Sequence, residues 1–167
     1  MAIHNANVLN RNTSNPRGFL LAQTSAAEIT ENLGKAHQYF VALSCNNEPV
    51  AFLTLARPRV SDAFLNQILW QDASCRDKIL SDRHLYVKTV AARPDHTGRG
   101  IARFLYGAMF ARFPQACFSA FIVTKPLRNG RSLTFHQKQG FQQVGIFRQD
   151  FFLDLQGYES VLVFKEL

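Results

Sequence analysis

The stretch from Val87 to Leu105, VKTVAARPDHTGRGIARFL, constrains the fold more than any other part of this chain. An apolar, β-branched run breaks at Pro94 and resumes through two glycines as a helical pattern. The residue before a proline is pushed toward extended backbone, so Leu85 to Ala92 reads as a central strand that ends cleanly at Arg93. In Ile101 to Phe113 the residues Ile101, Phe104, Leu105, Ala108 and Met109 recur at spacings of three and four, which predicts a helix with one apolar face, stopped by Pro114. Between strand and helix, Gly98 and Gly100 let the backbone turn tightly. The amides of Arg99 to Ala102 then fall at a helix start, where several donors lack intrahelical partners, and a diphosphate is the kind of ligand that satisfies them. Arg99 and Arg103, one turn apart, add positive charge. The spacing excludes two other phosphate loops: no GxxxxGK[ST] occurs, and Arg103 stands where GxGxxG needs its third glycine.

The rest of the pattern is that of a mixed α/β domain. Residues 1 to 18 read as a polar arm and Phe19 to Ala22 as a short strand. Thr24 or Ser25 caps a helix running toward Lys35, with Glu28 in its first turn. Tyr39 to Ser44 and Val50 to Leu55 form an antiparallel hairpin across CNNE, where asparagine tolerates positive φ. Helical pieces are expected around FLNQILW, with Leu69 and Trp70 as anchors, and at Arg76 to Leu80. Cys117 to Thr124 is a buried strand and Ser132 to Gln139 a helix. Val144 to Arg148 and Ser160 to Phe164 are two closing strands, paired antiparallel.

Composition narrows the class. With 167 residues, 47% hydrophobic and 19% charged, the chain is long and apolar enough for one domain with a substantial core over residues 1–167. No apolar run approaches the length of a membrane helix, and the polar first residues resemble no secretory signal, so a cytoplasmic location is expected. Cys45, Cys75 and Cys117 are odd in number and widely spaced. They read as buried small residues, and neither they nor the histidines have metal-site spacing. Among the other histidines, His37 and His84 read as solvated or capping. The formal charge of +7 is uneven: eight basic and seven acidic residues precede His84, and eleven and five follow from it onward. Such a surface suits a polyanionic ligand, but the basic residues are scattered and no nucleic-acid motif accompanies them.

A second segment joins the glycine turn. Asn129 precedes a helix, Ser132 lies near its start, and His136 falls one turn beyond Ser132 on a shared face, followed by Gly140-Phe141. On these motifs and their order, the chain from Phe19 to Leu167 resembles the GNAT superfamily of N-acetyltransferases, and within it small bacterial acetyltransferases. The resemblance implies a mixed, mostly antiparallel sheet flanked by helices, with splayed central strands, and acetyl-CoA or CoA as cofactor.

Carried onto this sequence, the resemblance implies that backbone groups of Val90, Ala91 and Ala92 meet the pantetheine arm. Thr97, Gly98, Arg99, Gly100, Ile101, Ala102 and Arg103 form the pyrophosphate loop, and Asn129 and Ser132 stand beside the pantetheine or adenosine-phosphate portion. Thr97 departs from the superfamily's usual glutamine or arginine, and Ala102 from its common final glycine. His136 stands where many relatives carry tyrosine near the cofactor sulfur, and either it protonates the departing thiolate or it is a packed core histidine. Tyr86 is a second candidate, as a hydrogen-bond partner of the acceptor or of a relay water.

The implied activity is transfer of an acetyl group to a primary amine of a small molecule or peptide, by direct attack in a ternary complex. The alternatives are a CoA-binding regulatory protein of the same fold and, further off, a nucleic-acid or protein interaction module. An amine cation must lose a proton first, yet the strand before Asn129 carries no carboxylate. Glu48, Asp82 and Asp150 are candidate bases that also read as ordinary surface residues. Fifteen Phe exceed the evident needs of a core this size, which leaves room for a homodimer.

Overall fold

The computed structural model describes residues 1–10, 18–35 and 37–167. In chain order the elements are α1 (Ala2–Asn5), α2 (Ala26–Gly34), β1 (Gln38–Leu43), β2 (Pro49–Ala56), α3 (Asp62–Leu65), β3 (Ile68–Trp70) and α4 (Cys75–Leu80). There follow β4 (His84–Ala92), a 3-10 turn (Pro94–His96), α5 (Ile101–Arg112), β5 (Cys117–Lys125), α6 (Gly130–Lys138), β6 (Gln142–Phe152) and β7 (Leu155–Glu166). The strands form one sheet in the order β1-β2-β4-β5-β7-β6-β3. β4 and β5 pair in parallel, whereas β1 with β2, β5 with β7, β6 with β7 and β3 with β6 are antiparallel. The parallel ladder runs only from His84↔Cys117 to Tyr86↔Ser119, although β4 continues to Ala92 and β5 to Lys125. A mixed, mostly antiparallel sheet flanked by helices is what the GNAT resemblance implies.

The chain divides into two compact units, Met1–Arg57 with Val87–Pro114, and Pro58–Tyr86 with Gln115–Leu167. In the first, Ser25 caps α2 and Glu28 reaches back to the Ser25 amide, a complete capping box that starts the helix where the sequence predicts. Asn47 takes φ 60° in the β1–β2 turn. Helix α5 packs on β1 and β2 and buries Leu105, Tyr106 and Met109. The expected apolar face is corrected at Phe104, which is 68% exposed. At 3.6 residues per turn, Phe104 points about 140° away from Met109, the middle of the buried arc. Phe19 to Ala22 is not a strand either: Leu20 makes an isolated parallel bridge with Val8, and Phe19 is simply buried. The polar arm expected over residues 1 to 18 lies partly outside the described residues. Its described portion holds α1, and Asn5 exchanges two hydrogen bonds with the Thr24 backbone at 2.9 and 3.0 Å.

In the second unit, the expected helix around FLNQILW is only the single turn α3, and Ile68 to Trp70 is an edge strand. Its alternation buries Ile68 and leaves Leu69 54% exposed, so Leu69 anchors nothing. Trp70 is half-buried and donates its indole N–H to the Leu65 carbonyl at 3.1 Å. The reason lies across the ladder. Trp70 is paired with Gly145, where a Cβ would come within 2.7 Å of Ile68 Cγ2, so only glycine admits β3 this closely. Cys75 and Cys117 are buried as expected, whereas Cys45, on the turn after β1, is exposed.

Glu159 on β7 gathers Arg148 at 2.8 Å, Thr124 at 3.0 Å and Lys125 at 3.1 Å. The Arg148 guanidinium above all holds its carboxyl below the usual carboxylate range. The basic partners are more than half exposed, so solvent screening limits the gain, and Glu159→Gln is expected to lower stability by about 1 kcal/mol at pH 7. A depressed carboxyl stabilises the fold above its unfolded value of about 4.3 and loses that contribution as pH falls through the lower folded value. Urea midpoints of parent and variant should therefore differ at pH 7 and converge toward pH 3.

Candidate active site

The turn after β4 is built from its own backbone. Arg93, before Pro94, is extended, and its amide donates to the Val50 carbonyl at 2.8 Å while its guanidinium pairs with Asp95 and Glu48. Thr97 spends its short hydroxyl on the Pro94 carbonyl at 2.9 Å, closing the 3-10 turn. Gly98 and Gly100 then take φ of +82° and +78°, a region that L side chains avoid. Gly100 is the N-cap of α5, and no side chain caps it. The carbonyl of Gly100 accepts from Phe104 N–H at 3.0 Å, but the amides of Ile101, Ala102 and Arg103 precede this first intrahelical donor and have no intrahelical acceptor. Arg99 and Arg103 are exposed beside them. A cluster of uncapped amides with two arginines alongside fits a pyrophosphate, the group that an acetyl-CoA cofactor brings. Upstream, Ala91 is buried, Val90 and Ala92 are half-buried, and the Ala92 carbonyl already accepts from Asn7 Nδ2 at 2.9 Å.

On α6 the predicted helix face is present. Asn129 is its N-cap, with Oδ1 accepting from Ser132 N–H at 3.3 Å. His136 lies one turn on, and its Nδ1 sits 2.8 Å from the Ser132 carbonyl oxygen and 3.4 Å from Ser132 Oγ. A carbonyl can only accept, so Nδ1 carries the hydrogen and Nε2 is the basic nitrogen. The ring is 2% exposed and meets Phe135 and Phe141 edge-on, at 5.6 and 5.3 Å between centroids. This burial pushes the imidazole below its ordinary value, against a smaller opposite pull from the Ser132 carbonyl. At neutral pH the ring is therefore predominantly uncharged.

The second unit also carries a half-open cavity of about 300 Å³ that no sequence motif announced. Phe64, Phe121 and Leu162 form apolar walls, and Tyr86, His84 and Ser119 contribute the polar groups. Phe121 meets Phe64 edge-on at 6.0 Å and Tyr86 at 6.3 Å. Burial pushes the Tyr86 phenol up to about 12, with a backbone hydrogen bond to Phe121 pulling the other way. It therefore stays protonated at any working pH. His84 is not solvated as the sequence suggested: it is 4% exposed, and its Nε2 lies 2.8 Å from Oγ of Ser119, itself 2% exposed. One half of this pair is marked in the sequence, since Ser119 is the one polar side chain in the apolar run Cys117 to Val123. Glu48, Asp82 and Asp150 are exposed, and none lines the cavity. Among the described residues there is no cluster of histidine, cysteine and carboxylate groups able to hold a metal, and no helix long and apolar enough to cross a membrane.

Comparison with known proteins bears on the fold and the family of the chain. No curated protein matches the chain in sequence. Among solved structures, the chain is similar to smu.2055 from Streptococcus mutans UA159, with a TM-score of 0.67 at 14% identity over 99% of this chain and 90% of that one. It is similar to the ribosomal-protein-S18-alanine N-acetyltransferase from Escherichia coli, with a TM-score of 0.62 at 11% identity over 87% and 79% of the two chains. The phosphinothricin acetyltransferase from Sinorhizobium meliloti, a structure in complex with AcCoA, gives a TM-score of 0.56 at 16% identity over 85% of this chain and 67% of that one. At such identities the likeness is one of fold. The sequence itself matches the family model described as Acetyltransferase (GNAT) family over residues 8–141, which contain β4, the glycine turn, α5 and α6, and the chain belongs to that family.

Proposed function

We propose that this chain is an N-acetyltransferase that moves an acetyl group from acetyl-CoA to a primary amine of a small molecule, both substrates being bound together. The observation that carries the reading is the turn at Gly98 to Ala102, where two positive-φ glycines leave the first amides of α5 uncapped in a chain of the GNAT family. Bound acetyl-CoA supplies the acetyl group as a thioester. The chain's own residues do the rest. The amides of Gly98 to Ala102, with Arg99 and Arg103, hold the pyrophosphate, while Thr97 keeps the turn closed instead of reaching the ligand. Backbone groups of Val90 and Ala91 serve the pantetheine arm, and Asn129 and Ser132 fix the helix start on the cofactor side. Tyr86, protonated throughout, gives the departing sulfur a hydrogen bond, and His136 steadies the first turn of α6 through its Nδ1–H to the Ser132 carbonyl.

Thiol release from acetyl-CoA across a panel of amines tests this reading. Release that depends on the amine is expected. Tight CoA binding without it would favour a regulatory CoA-binding role instead.

A further inference from the structure

Of the residues given a role toward the cofactor, only Tyr86 lines the cavity in the second unit. We propose that it is the acceptor pocket of the acetyltransferase proposed above, on which reading this inference rests, and that it takes a small monoamine with an apolar, aromatic body. The amine nitrogen is seated at the His84–Ser119 pair.

Size sets the first limit. A volume of about 300 Å³ stands at the lower end of small-molecule sites, roughly 300 to 1,000 Å³, which suits a compact amine better than a peptide. The walls set the second. Phe64 and Phe121 present ring faces and edges, Ile68, Ile79 and Leu162 add aliphatic surface, and an aromatic body gains both burial and ring contacts there. Charge sets the third. Among the described residues, no carboxylate lines the cavity, and the one lining residue of permanent charge is Arg59, a cation. A second ammonium on the acceptor would be desolvated with no counter-charge and repelled by Arg59, which disfavours polyamines.

The same absence explains why the amine needs the buried pair. An ammonium cannot attack a carbonyl carbon until it has lost a proton. With Nε2 of His84 2.8 Å from Ser119 Oγ, the hydroxyl can, in the tautomer whose ring hydrogen is on Nδ1, pass its own proton to Nε2 while taking one from the ammonium. The nitrogen keeps the electron pair of the broken N–H bond as its lone pair, Ser119 ends as it began, and His84 holds the positive charge until it hands the proton back through the Ser119 hydroxyl to water in the emptied pocket. The positive charge of the ammonium is thus moved onto an imidazole, not multiplied.

The experiment uses the full chain with 2-phenylethylamine, spermidine and a tripeptide, reading amine binding by calorimetry and turnover by thiol release from acetyl-CoA. The parent is expected to bind 2-phenylethylamine and to prefer it as acceptor. Val60→Trp, at a half-buried position of the lining, should raise its KM at least tenfold by filling the space. Ser119→Ala, verified as folded by circular dichroism, should keep amine binding and lose roughly 10²-fold in kcat. Preference for spermidine or the tripeptide, or a Ser119→Ala variant with the parent's kcat, overturns the inference and leaves the acetyltransferase reading intact. A chain that binds both CoA and 2-phenylethylamine yet releases no thiol with any amine overturns that reading, and the acceptor role with it.

Discussion

Replacing Gly100 with valine is expected to weaken CoA binding by roughly 10- to 100-fold, while Cys45→Ser, at an exposed cysteine, leaves it unchanged. The cause is the backbone, not crowding. A Cβ built on Gly100 meets no atom within 4 Å, so a side chain there is not blocked. Its φ of +78°, however, is the left-handed region, which costs a non-glycine residue roughly 1–2 kcal/mol and a β-branched one more. Valine relieves that cost by rotating the peptide, which turns the first amides of α5 away from a common focus. Losing one charge-assisted hydrogen bond, at about 1.5–3 kcal/mol, gives the stated range. Calorimetry with CoA on the two folded variants measures it, and equal affinities would remove the turn from the binding site.

The second large effect is expected at Tyr86. Tyr86→Phe keeps the ring that packs against Phe121 and removes only the hydroxyl, so CoA affinity should hold while kcat falls by about 10²-fold. The pH profile separates Tyr86 from His136. A phenol raised to about 12 loses no proton between pH 6 and 9, so kcat should rise across that range as the acceptor amine deprotonates. An imidazolium donor behaves oppositely: burial lowers the His136 pKa from its ordinary value of about 6.5, so its acid form is lost at still lower pH. His136→Phe is accordingly expected to cost less turnover than Tyr86→Phe and to leave the profile's shape alone. A falling limb that disappears in His136→Phe would transfer the donor role to the histidine.

Much of this architecture is written locally. Pro94, the two glycines and the apolar spacing after them define strand, turn and helix, because each acts through the backbone of its own neighbourhood. The Ser25–Glu28 capping box and the Asn47 turn are legible for the same reason. Asn129, Ser132 and His136 could be placed on one helix face from their spacing alone.

What the sequence could not decide depends on partners distant in the chain. Ile68 to Trp70 fits a helical spacing, and only the missing side chain at Gly145, opposite Trp70, makes it a strand. Phe104 belongs to the apolar pattern of α5, but the arc that meets β1 and β2 centres on Met109 and leaves it in solvent. His84 and Ser119 lie 35 positions apart, so nothing local could show their 2.8 Å contact. The parallel register of β4 on β5 brings them together. Periodicity and turn chemistry are properties of a few adjacent residues, whereas a cavity and its polar pair exist only once separate strands have been set side by side. For this protein the sequence determined the glycine turn between β4 and α5, and tertiary pairing alone made the cavity and its buried polar pair.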